Sequence, residues 1–400
     1  MKKIIFCFAL LSAILIGMVS APSASAEGTL EIGPMEMAVG WRFQGVVEWT
    51  EDAASSGAGT LQTSIPLGTP DGLGTDYTQE IYDRHRIWLK GKIGDHVSFV
   101  YQTDEGFRGL SSATAVGSNQ GGLETRDAYV TIHFFNELNL SAGVMKIPFS
   151  RLRNESAFNQ LTVARPFIEA MATQSATGVA AKRDRTVMLW GNLFEDRIQY
   201  RATSTDGVLS LDGEDKNRYG GRVHVALLDP EPGLGYAGTY RGTKTILTIG
   251  GGLDSQANTR GTNAAPEDNF AWTIDGLLEY PLDMGVPSLQ GAYFNLDTND
   301  TVEAIEGDGW YLQAGWLFPE VAALFGGDVQ FFGKYTTWSP DTKTSINNRD
   351  EYGLGANLYL AGQNVKLVGQ WQQTTFDSQV ASTTAKDFST FTTMVQVQFK

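Results

Sequence analysis

Between residues 35 and 49 apolar and polar side chains alternate with a period of two. Met35, Met37, Val39, Trp41, Phe43, Val47 and Trp49 share one parity, and Glu36, Arg42, Gln44 and Glu48 share the other. Successive side chains of a strand point to opposite faces, so this pattern predicts a strand with one apolar face. The pattern returns at Phe270-Trp272-Ile274-Gly276-Leu278-Tyr280, at Trp310-Leu312-Ala314-Trp316-Phe318 and at Tyr352-Leu354-Ala356-Leu358-Leu360. It closes the chain, with Phe391, Val395, Val397 and Phe399 against Thr392, Gln396 and Gln398. Strands of soluble sandwiches run to about 5–6 residues. These run to about ten, the length a tilted strand needs to cross a bilayer.

The connections alternate in length. Short ones fall near Gly94-Asp95, Asn136-Glu137, Phe194-Glu195-Asp196, Asp229-Pro230, Pro281-Leu282-Asp283, Pro319-Glu320 and Gly362-Gln363-Asn364. Long polar ones fall near 51–79, 105–124, 148–182, 205–217, 249–268, 297–307, 339–349 and 377–386, with Gly250-Gly251-Gly252 read as a flexible tip. Seven short and eight long connections make fifteen, hence sixteen strands. An even count puts both ends of the chain on the short-turn side, the periplasmic side of bacterial barrels. No backbone group can go unpaired in lipid, so such a sheet must close. The expected fold is an all-β, transmembrane, antiparallel up-and-down barrel of about 16 strands with short periplasmic turns and long extracellular loops. The 13 prolines fall in the first 26 residues, at a strand start (Pro34) or in turns and loops, where no ladder bond is lost. Phe134, Phe135, Tyr280, Phe318, Tyr359 and Phe399 lie beside short turns and read as an interfacial girdle, beyond the ordinary strand preference of aromatics.

The N-terminus sets the compartment. Lys2 and Lys3 precede the apolar run Ile4 to Val19, and Ala24-Ser25-Ala26 fits a cleavage site. Residues 1–26 are therefore expected to be a signal peptide and residues 27–400 the barrel domain. The only cysteine, Cys7, lies in the apolar run, so a disulfide framework and cysteine metal sites are excluded. Net charge is −15 over 400 residues, and loss of Lys2 and Lys3 would take it to −17. So acidic a chain is a poor nucleic-acid binder. Mean hydropathy is −0.18, and beyond the N-terminus no apolar run is long enough for a membrane helix.

Several segments, in order from about residue 81 to the end, resemble the phosphate-selective porin O and P family. They are Arg84-His85-Arg86-Ile87-Trp88-Leu89-Lys90-Gly91-Lys92-Ile93, Asp127-Ala128-Tyr129-Val130 and Ala142-Gly143-Val144-Met145-Lys146-Ile147-Pro148-Phe149. Arg183-Asp184-Arg185, Gly191, and Leu193-Phe194-Glu195-Asp196-Arg197-Ile198-Gln199-Tyr200 continue the match. Gly362-Gln363-Asn364-Val365-Lys366-Leu367 and Gln396-Val397-Gln398-Phe399 complete it. Lys400 displaces the family's usual terminal Phe by one residue. The resemblance implies a sixteen-stranded outer-membrane porin, typically a homotrimer, with anion preference in some members.

Side chains opposite the greasy register should face the lumen. The basic candidates are Arg42, Arg84, Arg86, Lys90, Arg197, Arg201, Arg222, Lys334 and Lys366, and the acidic ones Glu36, Glu48, Asp127, Asp275 and Glu279. Nine minus five gives +4, so the excess acid belongs to the loops. Segment 51–79 carries Glu51, Asp52, Asp71 and Asp76, and segment 297–307 carries Asp297, Asp300, Glu303 and Glu306, neither with a base. The third long segment differs, with Arg151, Arg153, Arg165, Lys182, Arg183 and Arg185 against Glu155, Glu169 and Asp184. By the resemblance, residues 149–182 fold inward as the constriction. A basic ring in a low-dielectric wall would then concentrate anions, and arginine's planar fork suits oxyanions. The alternative is a solvated loop whose charges pair with neighbours.

The expected function is passive diffusion of small hydrophilic solutes, with phosphate or another oxyanion among the anions favoured. Lipid and lipopolysaccharide would surround the barrel in a bacterial outer membrane. No cofactor, metal site or catalysis is expected. The four histidines, His85, His96, His133 and His224, sit in no recognisable nucleophile or ligand motif. The rival from another class is a sheath holding a partner such as a redox protein, which would need a lumen that grips a surface.

Overall fold

The computed structural model describes residues 28–32, 35–51, 77–105, 124–163, 165–169, 172, 182–297, 306–318, 326–341, 348–376 and 387–399. The expected leader 1–26, the acidic residues Asp52, Asp71, Asp76, Asp300 and Glu303, and the turn at Pro319-Glu320 lie outside them.

Among the described residues seventeen strands are formed. They are β1 (Gly28–Ile32), β2 (Met35–Glu51), β3 (Tyr77–Ile93), β4 (Val97–Glu105), β5 (Glu124–Phe135), β6 (Leu138–Lys146), β7 (Arg183–Leu193), β8 (Ile198–Thr205) and β9 (Arg218–Ala226). Then come β10 (Ile246–Thr262), β11 (Ala265–Glu279), β12 (Val286–Asp297), β13 (Gly307–Phe318), β14 (Asp328–Pro340), β15 (Arg349–Tyr359), β16 (Val365–Phe376) and β17 (Phe388–Phe399). From β2 to β17 each strand pairs antiparallel with the next, and β17 pairs with β2 from Ser389↔Glu51 to Phe399↔Trp41. The barrel is therefore closed and has sixteen strands, as the connection count predicts. Strand β1 adds to the edge of β2 beyond the end of β17, with Gly28 opposite Val39 and Ile32 opposite Met35.

The alternation places apolar side chains outside. Leu354 is 64% exposed and Ile274 is 55% exposed, with Ile87, Phe331 and Val223 similarly bare. A shell of exposed Leu, Ile, Val and Phe would be an aggregation hazard in water, but it is the expected surface against lipid. The inward parity carries amides and hydroxyls such as Gln44, Gln290, Gln330, Gln396, Thr248 and Thr273, all buried. Proline keeps to strand ends: Pro266 and Pro287 are second residues and Pro340 a last one. Phe134, Phe135, Tyr280, Phe318 and Phe399 are exposed beside the short turns, as a girdle requires.

Four local expectations are corrected. Tyr359 is 1% exposed and points inward, its hydroxyl donating to Gln330 at 2.6 Å, so it is no part of the girdle. The expected loop 249–268 is instead a long hairpin, β10 to β11, turning at Thr262–Ala265. Gly250, Gly251 and Gly252 lie within β10, opposite His224, Val223 and Arg222 of β9. They make room for inward matter: a Cβ at Gly252 would overlap the carbonyl of Phe149, and one at Gly250 would overlap the Arg222 guanidinium. Finally, the turn expected at Asp229-Pro230 is a connection running from Leu227 to Thr245 between β9 and β10, on the short-turn side.

Candidate functional site

The lumen is where a barrel's inward side chains converge, and here another stretch of the chain occupies it. After β6 the backbone enters a short helix, α1 (Arg151–Asn154), capped by Ser150, whose Oγ accepts from Arg153 N at 2.8 Å. A 3₁₀ turn, Ala157–Asn159, follows, capped by Ser156. Backbone groups in so irregular a stretch need partners from elsewhere. Inward side chains of the wall supply them. Gln44 Nε2 donates to Ala157 O at 3.1 Å and Gln396 Nε2 to Phe158 O at 3.0 Å. Lys366 Nζ donates to Gln160 O at 3.0 Å and Asn357 Nδ2 to Leu161 O at 2.9 Å. Arg222 Nη1 donates to Phe149 O at 3.0 Å, and Asp275 accepts from Arg151 N at 2.7 Å. These partners run from β9 through β17 to β2, so the segment crosses inside the barrel.

Apolar packing holds the same segment. Phe149, Leu152, Phe167, Ile168 and Ala172 cluster with Ala271, Phe294, Leu296, Tyr311 and Trp338 of the wall. Leu161 and Val163 cluster with Val46, Phe332, Val368 and Met394. The assumption that inward parity is polar fails at these wall positions, because a second layer covers them. A signal exists in the sequence: β12 carries Tyr293 outward and Phe294 and Leu296 inward, greasy on both faces as a doubly buried strand is.

The expected constriction residues take different positions. Arg151 is fully buried and bidentate to Glu231 at 2.8 Å for each bond, with Glu155 3.6 Å from its Nε. Arg153 is paired with Glu169 at 3.1 Å and Asp254 at 3.4 Å. Arg165 donates to the carbonyls of Leu152 at 3.1 Å and Glu155 at 2.7 Å. Arg183 is bidentate to Asp127 at 2.9 and 3.1 Å. Lys182 is half-buried next to β7. Arg185 is not brought to the others: its side chain is 81% exposed, on the outward parity with Val187 and Leu189, near Asp206 at 3.5 Å.

Of the expected lumen residues, Arg42, Arg84, Arg86 and Lys90 share the inward face of β2 and β3. Arg42 and Arg86 are direct cross-strand partners, like charges that would repel. The Phe158 ring relieves them, its centroid 5.6 Å from Arg42 Cζ and 5.3 Å from Arg86 Cζ, and Asp104 pairs with Arg86 at 3.1 Å. Arg84 donates to Gln44 at 3.2 Å. Lys90 is exposed, its Nζ 5.1 Å from the Trp88 ring. Arg201, Arg222, Lys334 and Lys366 face inward but are buried. Arg201 donates to Asn154 Oδ1 at 3.0 Å, and Arg222 holds Asp275 with two bonds of 2.7 Å. Arg197 is corrected: it sits in the 194–197 turn, exposed, donating to the carbonyls of Leu227 and Leu228 at 3.3 and 3.1 Å.

Sequence reasoning missed several members. Lys92 is exposed on the inward parity of β3, and Arg126 contacts Asp104 at 3.1 Å. Lys146 reaches Glu155 O at 2.7 Å, and Arg218 pairs with Asp254. The inner wall is thus uneven. From β9 to β17 its charges are buried, Arg218, Arg222, Asp254 and Asp275 in ion pairs, Lys366 on the Gln160 carbonyl and Glu279 on backbone N–H groups. Along β3 and β4 it is open, with Lys90 and Lys92 exposed and Arg84, Ser98 and Val100 partly so.

A Ser–His–Asn spacing occurs on β4 to β6. Ser98 Oγ and His133 Nε2 are 2.8 Å apart, and His133 Nδ1 is 2.7 Å from Asn139 Oδ1. The adjacent cleft, about 490 Å³, is lined by Asp95, His96, His133, Phe134, Phe135, Asn136, Asn139 and Trp190, and Ser98 is not among its lining residues. The three side chains form a cross-strand polar ladder. Nor does the sheath alternative find support, because the wall a partner would grip from β9 to β17 is covered by the chain itself.

Comparison with known proteins agrees with this architecture. The family model described as phosphate-selective porin O and P matches residues 75–399. A curated relative from Aquifex aeolicus, an uncharacterized protein, is 24% identical over 261 residues, and the match spans 60% of this chain and 60% of the relative. Solved structures share the fold at low identity. Pseudomonas putida OprB has a TM-score of 0.61 at 10% identity, over 91% of this chain and 94% of that one. The outer-membrane channel DcaP of Acinetobacter baumannii gives 0.56 at 13%, over 94% and 100%. An anion-selective porin from Comamonas acidovorans gives 0.55 at 14%, over 91% and 100%. Family and fold are those of an outer-membrane channel for small solutes rather than of an enzyme. The chain belongs to the phosphate-selective porin O and P family.

Proposed function

We propose that this porin passes small hydrophilic solutes with a preference for anions, phosphate or another oxyanion among them. The observation that carries the reading is the open basic strip on β3. Arg84, Arg86, Lys90 and Lys92 share its inward face, while Asp254, Asp275 and Glu231 opposite are each engaged by arginine. An ion in the remaining path meets an excess of positive charge on one side, where Arg86 and Arg126 share the single carboxylate of Asp104, and arginine–carboxylate pairs on the other. Segment 149–182 serves as the constriction. Within it Arg151 and Arg153 act as anchors neutralised by their partners, while Arg165 and Lys182, with Arg183 at the start of β7, lie towards the strip. The name of the Comamonas acidovorans neighbour fits this preference. Residues 1–26 act as a cleaved leader, and the assembly is a homotrimer surrounded by lipid and lipopolysaccharide. The test is the reversal potential of the pure protein in a planar bilayer under a potassium chloride gradient. An anion-selective sign, with current reduced by added phosphate, is expected; a cation-selective sign overturns the reading.

The preference is also expected to depend on pH. Burial pushes Lys182 down to about 7, with Arg165, Arg153 and Arg84 adding to the effect against Glu169. Burial pushes Glu155 up to about 7, against the pull of Arg151 and Arg165. Both groups gain a proton as pH falls through that value, so both changes make the constriction more positive. Anion preference should therefore rise between about pH 8 and about pH 6, and Lys182→Met should remove part of the rise. An unchanged reversal potential over that interval would sink the assignment of these two groups to the path.

A further inference from the structure

The connection from Leu227 to Thr245 enters the barrel from the short-turn side, opposite to the rim from which residues 147–163 descend. Glu231, Tyr236 and Thr239 are buried. The two segments meet. Tyr236 N donates to Asn154 O at 3.3 Å and Gly238 N to Asn159 O at 2.9 Å. Glu155 and Tyr236 form a parallel bridge. Arg151 holds both oxygens of Glu231 at 2.8 Å and donates to Ala237 O at 2.8 Å. The Tyr236 ring lies 5.1, 4.9 and 5.4 Å from the guanidinium carbons of Arg151, Arg201 and Arg222, and stacks on His224.

Its foot is fixed to the wall. Glu279 accepts from Thr239 Oγ1 at 2.8 Å, Tyr240 N at 3.0 Å and Gly242 N at 2.9 Å. The Tyr240 hydroxyl donates to Glu231. Arg201 donates to the carbonyls of Gly233 and Leu234 at 3.1 and 3.0 Å, and Gln199 to that of Pro232 at 2.7 Å. Arginine on Glu231 holds that carboxyl down at about 2 despite its burial, so the latch stays ionised through the neutral range.

We propose that the 227–245 connection is the second half of the constriction. It closes the β7–β11 side of the lumen from below, confines solutes to the strip along β3, and sets the limiting solute size together with residues 149–163. Glu231 is the positioning residue that joins the two halves through Arg151. The inference rests on the channel reading above but not on its ion preference.

The test reads single-channel conductance and exclusion of neutral polymers of graded size for Glu231→Ala, Arg151→Ala and the charge-swapped pair R151E/E231R. Each single substitution should raise conductance about twofold and admit larger polymers, because the freed segments no longer fill their half of the lumen. The swapped pair should move both readouts back towards the native values, which mere loosening by two substitutions would not do. Native conductance and native polymer cut-off in both singles overturn the proposal. No current from the native protein would instead fail the channel reading, and cation selectivity with the expected polymer shifts would fail only the anion preference. Amide exchange of the native protein keeps the proposal falsifiable should the variants fail to fold. Peptides covering residues 231–243 should exchange at least about a hundredfold more slowly than an unstructured chain, and rapid exchange overturns a fixed inward segment.

Discussion

Exchanging Arg84 and Arg86 for glutamate should reverse the ion preference of the channel. The two side chains sit on one face of β3; Arg84 donates to Gln44, and Arg86 lies beside the Phe158 ring and shares Asp104 with Arg126. A unit charge about 6 Å from a passing ion, at an effective dielectric constant of about 40, contributes about 1.4 kcal/mol, a factor of about ten in ion occupancy. Arginine to glutamate changes each position by two charges. Even with screening over a Debye length of about 10 Å at about 0.1 M salt, the chloride-to-potassium permeability ratio should fall by at least about tenfold. Reversal potentials under a potassium chloride gradient measure this directly, and the same double substitution to glutamine should give an intermediate value. An unchanged sign in the glutamate variant would place the selective path elsewhere. The fold should survive, because both residues project from the sheet without entering its ladder.

The prediction uses a parity that was legible in the sequence. The run from Met35 to Trp49 reads directly as β2, and the count of short and long connections yields sixteen strands, because a barrel in lipid repeats one rule at every strand. The inner face obeys no such local rule. Trp338, Phe294 and Tyr311 point inward because Phe149, Leu152 and Ile168 lie on them, and that pairing joins positions far apart in the chain. Gly250-Gly251-Gly252 has the composition of a loop tip, yet Gly250 and Gly252 give clearance within β10 to Arg222 and the Phe149 carbonyl. The charge balance misled for the same reason. Arg151 and Arg153 count as free bases in a sum over residues 148–185, but Glu231, Glu169 and Asp254 neutralise them, and two of these carboxylates come from other segments. Asp229-Pro230 reads as a short turn, yet the chain after it goes up into the lumen before returning to β10, which the dipeptide cannot encode.

Removing the Asp275 carboxylate should release the inserted segment while leaving the barrel closed. Asp275 is buried on β11 and accepts three bonds of 2.7 Å, one from Arg151 N and two from Arg222. In Asp275→Ala the Arg222 guanidinium stays buried beside the Tyr236 ring and the Phe149 carbonyl with its counter-charge gone. Stranding a buried charge in this way costs about 3–5 kcal/mol. The ladder does not bear that cost, since Asp275 pairs through its backbone with Gly250 and Ala292 whatever its side chain. The cost falls on the docked state of segment 147–163, whose opening equilibrium should shift by about two to four orders of magnitude, at about 1.4 kcal/mol for each tenfold. Heat-modifiable migration on a denaturing gel should remain that of a closed barrel. Protease added to the folded protein should now cut within residues 147–163, and single-channel traces should flicker between the native level and a larger one. Asp275→Asn keeps an acceptor for Arg151 N and should show a smaller effect. Native resistance to cleavage and quiet traces in the alanine variant would mean that the amide and ammonium bonds from Gln44, Gln396, Asn357 and Lys366, together with the Phe294 and Trp338 packing, hold the segment without the charge pair.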